Sequence, residues 1–192
     1  MLNNSDSTYN AVEDMLLQLG VDLNDPNFTE TPRRLVSYLT EHFPPQNKID
    51  AVIADCQRAV FPNKYTGMVV SRNIEVNGMC PHHLLPVIYN VHIGYIPDEK
   101  AIGLSKLNRL AEIFGCQAVM QEDFTFTLAN KLSEILKTDN VAVVVKGEHF
   151  CMKVRGVKAH NPYVMTSELR GGFMAEPEVR QEFYKLIELN HS

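Results

Sequence analysis

Val87-Ile88-Tyr89-Asn90-Val91-His92-Ile93-Gly94-Tyr95-Ile96 decides the fold of this chain. Tyr89, Val91, Ile93 and Tyr95 alternate against Ile88, His92 and Ile96, the period-two pattern of a strand. Residues 67–76 form a second such run, rich in β-branched side chains (Val69, Val70, Ile74, Val76). A Cys-Pro-His-His cluster lies in the connection between the two.

Working outward, the period changes. Residues 104–114 carry Leu107, Leu110, Ile113 and Phe114 at helical spacing, and residues 122–136 carry Phe126, Leu128, Leu132 and Leu136. Asp139-Asn140 then turns into a strand over 141–146 bearing four valines. Residues 153–157 and 164–167 read as extended, and 178–189 as a closing helix. Upstream, residues 1–8 are irregular and 9–19 are helical (Val12, Met15, Leu16, Leu19), ended by Gly20. Thr31 reads as the N-cap of a second helix, with Pro32 at its first position and Pro44-Pro45 as its end. Residues 49–59 read as a third helix.

The order ααα-ββ-αα-ββ-α is an α+β class. A ββααββ unit implies an antiparallel sheet with two helices on one face, behind an N-terminal helical arm. The division expected is residues 1–62 for the arm and 63–192 for the body. Four strands leave two open edges, which edge-to-edge joining of subunits into a closed barrel would cover.

Composition narrows the function. The chain has 192 residues, 45% of them hydrophobic, enough for a core. A formal net charge of −5 offers no nucleic-acid surface. No apolar run approaches the ~20 residues of a membrane span, and residues 1–10 are too polar for a secretory signal. Four cysteines do not make a disulfide framework at this size. A reducing cytoplasm is expected.

The chemistry sits in two clusters, Cys80-Pro81-His82-His83 and His149-Phe150-Cys151. Thiols and imidazoles so grouped are zinc ligands. Cys80 and His83, two residues apart, reach one ion from a tight turn, and Cys151 is the natural third ligand. Three ligands leave a position open for water. His82 or His149 as a fourth would close the site, and two small buried thiols are the bland alternative. In the open form His82 and His149, each next to a ligand, are free for proton transfer. The run Gly103-Leu104-Ser105-Lys106-Leu107-Asn108-Arg109 opens a helix and is either an anion site or a solvated face. Gln121-Glu122 starts the next helix. Its carboxylate suits the helix dipole, and it has the acceptors to take two hydrogen bonds from a guanine edge. Arg155 follows Cys151 by four, on the same face if the segment is a strand. Cys56, Cys116, His42, His92, His160 and His191 have no partner pattern.

Together these residues resemble the GTP cyclohydrolase I family. The resemblance rests on Cys80-Pro81-His82-His83-Leu84-Leu85-Pro86, residues 92–97 and 102–109, Gln121-Glu122, residues 149–152 and Arg155-Gly156-Val157, with Glu30-Thr31-Pro32-Arg33-Arg34 upstream and residues 166–173 downstream. It implies the tunnelling fold, or T-fold, assembled as a toroid, typically a decamer, with sites between subunits. It implies Zn2+ held by Cys80, His83 and Cys151, and proton transfer by His82 and His149. Glu122 with Gln121 would recognise guanine, and Ser105 would sit near the ribose. Lys106, Arg109, Arg155 and Arg34 would hold the triphosphate. The implied reaction opens the purine of GTP at C8, releases formate and gives 7,8-dihydroneopterin triphosphate.

Several positions depart from the family pattern. Pro81 stands where Glu is usual, Asp123 where Arg follows the Gln-Glu pair, and Ser37 where a Lys is common. Gly115-Cys116-Gln117-Ala118 lacks the usual Arg, and Thr66-Gly67-Met68 replaces an Asp-Glu-Met signature. The basic residues are thinned and the metal residues intact. Three readings follow: a GTP cyclohydrolase, a diverged zinc enzyme acting on another guanine nucleotide, and a non-catalytic zinc-containing binding or regulatory protein. Lys153, Lys158 and Arg170 are the candidates to replace the missing charges.

Overall fold

The computed structural model describes residues 5–188. Residues 1–4 of the irregular start, and Leu189 and His191, lie outside the described residues. The chain divides into two compact units between Pro44 and Pro45.

The first unit holds α1 (Ser5–Gln18) and α2 (Thr31–Glu41), packed on each other. Val12 and Leu16 supply the buried stripe of α1, and Gly20 ends it at φ +83°. The N-cap of α2 is Glu30, not Thr31, with no side-chain capping bond. The backbone of Glu30 already has helical angles, and its carboxylate turns instead to Arg33, 2.6 Å away. Thr31 is thereby moved inside the helix.

The second unit starts with α3 (Gln46–Arg58), which follows Pro45 and packs on α4 (Leu104–Gly115). A small pair, β1 (Val60–Pro62) with β4 (Lys100–Ile102), follows it in chain order around the main hairpin. Helix α3 and strand β1 thus belong to the body by their contacts, although the expected boundary left them in the arm.

The main sheet has the order β2-β3-β5-β6, all antiparallel: β2 (Val69–Met79), β3 (Pro86–Tyr95), β5 (Val141–His149) and β6 (Val164–Leu169). Helices α4 and α5 (Gln121–Leu136) lie between β3 and β5 in sequence. Tyr89, Val91, Ile93 and Tyr95 face a core built with Leu107, Leu110, Leu128 and Leu132, all essentially inaccessible. Each such side chain contributes ~1.5–3 kcal/mol by its burial. The opposite face is covered too: Ala142 and Val144 pack with Phe173 of α7 (Gly172–Ala175) and Phe183 of α8 (Pro177–Glu188). Cover on both faces explains why β5 is valine after valine instead of alternating.

Residues 153–157 are not extended. The chain turns straight from β5 into α6 (Phe150–Lys153), closed by a bond from the Val154 N–H to the Phe150 carbonyl (2.9 Å). Gly156 at φ +58° and Lys158 at φ +47° then keep it turning. Arg155 therefore lies in a loop, and the shared strand face expected for Arg155 and Cys151 does not exist.

Candidate metal centre and active site

The site grows from sheet register. Val87 pairs with Gly78 on one side and His149 on the other. The β2–β3 loop and the exit of β5 thus emerge side by side. In the loop, the Cys80 N–H donates to the Leu85 carbonyl and the Leu84 N–H to the Cys80 carbonyl, both at 2.9 Å. Leu84 closes the turn at φ +52°, a conformation unfavourable for a leucine and held by its surroundings. The turn brings Cys80 Sγ to 3.6 Å from His83 Nδ1. Cys151, in the helical turn just after His149, completes the group: the three ligand atoms lie within 4.8 Å of one another.

This donor set fits zinc. Ligands ~2.3 Å (sulfur) and ~2.0–2.1 Å (nitrogen) from one tetrahedral ion stand roughly 3.5 Å apart, which matches the Cys80–His83 separation. Two thiolates and an imidazole also suit a borderline-soft cation. Burial and the adjacent Cys80 thiol push the Cys151 thiol up, and a cation bound there would favour its thiolate. His82 is exposed, its ring 6.2 Å from that of His83.

His149 is held by Gln121. The Gln121 amide nitrogen donates to the carbonyls of Val145 and Val164 and to Thr166 Oγ1, each at 3.1 Å. Carbonyls only accept, so the other end of the amide is its oxygen, and that oxygen lies 2.8 Å from His149 Nε2. Nε2 therefore carries the proton, and Nδ1 is the nitrogen left to exchange one. Burial lowers the His149 pKa, partly opposed by the Glu122 carboxylate. Gly147 makes the arrangement possible. A Cβ there would stand 3.0 Å from His149 Nε2 and 3.1 Å from Gln121 Cδ, with the amide oxygen closer still. Tyr89 packs edge-on to His149 at 6.1 Å, and a Cβ on Gly78 would meet its ring at 2.5 Å.

Gln121 and Glu122, adjacent in sequence, have different surroundings. Gln121 is 2% exposed and spends its polar atoms on His149 and the sheet. Glu122 is exposed and lines a 210 Å³ cavity with Thr125, Phe126, Thr166, Ser167 and Glu168. Asp123 lines a different cavity, with Ile49 and Ile53 of α3 and Lys131.

The basic residues form separate groups. Lys106 Nζ and Arg109 Nη1 both reach Asp55 Oδ2 on α3, at 2.5 and 2.8 Å. Arg58 stands 3.7 Å from the same carboxylate. Lys153 is paired with Glu148, and Arg170 with Glu168 at 3.0 Å. Ser105 and Arg155 are exposed, and Arg34 is exposed on α2 in the first unit. The structure thus brings together Cys80, His82, His83, Cys151, His149 and Gln121, while Lys106 and Arg109 are engaged by Asp55 of α3. Sequence reasoning missed Asp55, whose partners lie about fifty positions away, and Gly147, which reads as any strand glycine.

The GTP cyclohydrolase I family pattern matches residues 8–188. A GTP cyclohydrolase 1 of Dehalococcoides mccartyi is 39% identical over 183 residues, covering 94% of this chain and 95% of that one. One from Saccharomyces cerevisiae is 41% identical, over 92% of this chain and 72% of that one. One from Campylobacter concisus is 37% identical, over 95% of each. The matched span includes both Cys/His clusters and the Gln-Glu pair, and the chain belongs to the GTP cyclohydrolase I family.

Proposed function

We propose that this chain hydrolyses the purine ring of GTP at C8, releases formate and yields 7,8-dihydroneopterin triphosphate, with Zn2+ held by Cys80, His83 and Cys151. The observation that carries this reading is the convergence of those three ligand atoms within 4.8 Å, beside a histidine whose free nitrogen is fixed. Zinc supplies a Lewis acid that activates water near neutral pH.

The chain's own residues do the rest. His149 exchanges a proton with the purine through Nδ1, its Nε2–H being held by Gln121. His82, exposed beside His83, serves the second proton transfer. Glu122 accepts from the guanine N1–H and 2-amino group at the mouth of its cavity. Gln121 acts as the positioning residue for His149, a role its burial supports over direct contact with the base. Ser105 lies near the ribose; Lys106, Arg109, Arg155 and Arg34 hold the phosphates. The site is completed between subunits, in a T-fold toroid, a decamer by family pattern. The open edges of β2 and β6 suit such an assembly. No helix among the described residues is long and apolar enough to cross a membrane, and we place the enzyme in the cytoplasm.

The test is zinc-loaded protein incubated with GTP, with pterin absorbance and formate followed together. Stoichiometric formate and pterin are expected. Zinc bound at one per subunit with GTP inert would overturn the reading. Turnover of GDP or GMP would then identify a diverged guanine-nucleotide enzyme, which the engagement of Lys106 and Arg109 by Asp55 favours as the second reading.

A further inference from the structure

Lys106 and Arg109 lie three residues apart on one face of α4. Each reaches the same oxygen of Asp55, on the facing helix α3. The two helices are also tied one residue further on, where the Cys56 thiol points to the Lys106 carbonyl at 3.8 Å. Asp55 is therefore carried by a packed helix, not by a loose tail. Its side chain is one-third exposed, and that of Lys106 only 15%. Any second anion arriving at these two cations meets a carboxylate already seated between them.

We propose that Asp55 is a built-in competing anion for the Lys106–Arg109 pair, and that it lowers the affinity of this subsite for polyphosphate chains. The inference rests on the proposed phosphate-holding role of those two residues. A ligand phosphate either displaces Asp55 from both cations or binds beside it against like-charge repulsion. Either route weakens binding, and the penalty grows with the charge of the ligand. With Arg58, one turn along α3, three cations face the one carboxylate, so the cluster stays cationic and anions still bind. The cations themselves hold the Asp55 carboxyl below the usual carboxylate range, the hydrogen bond from Lys106 foremost, so the competitor is charged at neutral pH. Asp55 makes no contact with a reacting atom. It is a specificity-determining residue acting through Lys106 and Arg109.

The experiment compares wild type with Asp55→Asn, an isosteric change that keeps the helix contact and removes the charge. Asp55→Ala is the second variant. Inorganic tripolyphosphate is titrated calorimetrically onto each zinc-loaded protein, and KM and kcat are measured for GTP, GDP and GMP. Both variants should bind tripolyphosphate roughly tenfold more tightly at low salt, and less distinctly so in high salt. KM should fall most for GTP and least for GMP, with kcat within about twofold. Unchanged or weaker tripolyphosphate binding in both variants would overturn the proposal and make Asp55 an anchor that positions Lys106. If tripolyphosphate binding tightens while no form turns over GTP, the competing-anion inference stands and the proposed function fails.

Discussion

Gly147→Ala tests the site at its tightest point. The added methyl would stand 3.0 Å from His149 Nε2 and 3.1 Å from Gln121 Cδ, and inside contact distance of the amide oxygen. Carbon prefers contacts of ~3.5–4.0 Å, so the Gln121 amide must retreat by roughly 1 Å. It has nowhere to go: its nitrogen is fixed by Val145, Val164 and Thr166. Overpacking costs ~1–3 kcal/mol, and the broken His149–Gln121 bond leaves a buried acceptor unpaired for ~1–3 kcal/mol more. A domain in the middle of the ordinary stability range, ~10 kcal/mol, still folds, with a lowered urea midpoint. Catalysis suffers more, since a 1 Å misplacement of a proton-transfer group costs ~100-fold. Cys80, His83 and Cys151 are untouched, so zinc content should stay at wild type. The assay is kcat with GTP beside zinc content and the urea midpoint. A kcat within twofold of wild type, at an unchanged midpoint, would refute the role given to Gly147, Gln121 and the His149 tautomer.

Cys151→Ser should abolish stoichiometric zinc binding; full occupancy by metal analysis would remove Cys151 from the ligand set. His149→Ala should keep zinc and lose at least ~100-fold in turnover; loss of the metal instead would make His149 a ligand and the site closed. His92, on β3, is kept neutral in the fold by burial, then by Arg72 and Lys146, which lower its pKa from 6.5. Its contribution to stability is therefore complete above about pH 6.5 and lost as pH falls through the lower folded value. Urea midpoints between pH 7.5 and 5 should fall less steeply in His92→Gln, and an equal slope would clear His92 of the effect.

What could be read from the sequence followed the range of the forces involved. Strand β3 was legible because its two faces differ, and Leu107, Leu110, Leu128 and Leu132 because helix periodicity is local. Cys80 and His83 were legible because one turn joins them. Strands β1 and β4, three residues each, are too short to show a period. Residues 153–157 read as extended in the sequence because the decisive feature is backbone turning, after the short helix α6, at Gly156 and Lys158. For Gln121 the resemblance implies guanine recognition together with Glu122. Sheet register, invisible locally, pointed its amide at His149 instead. Asp55 sits on a helix where a carboxylate is unremarkable, and only the packing of α3 on α4 shows what it neutralises.

The convergence of Cys80 and Cys151 also acts on the unfolded chain. The two residues are about seventy positions apart, and the segment between them contains β3, α4, α5 and β5. An ion gripping both sulfurs is a cross-link that closes a loop of that size. By the loop-entropy relation for covalent bridges, such closure is worth ~4 kcal/mol. A bound ion would thus act as a reversible staple across one end of the sheet, its uptake linked to the folding of the chain. Chelation should lower the melting temperature of the whole body, not of its rim alone.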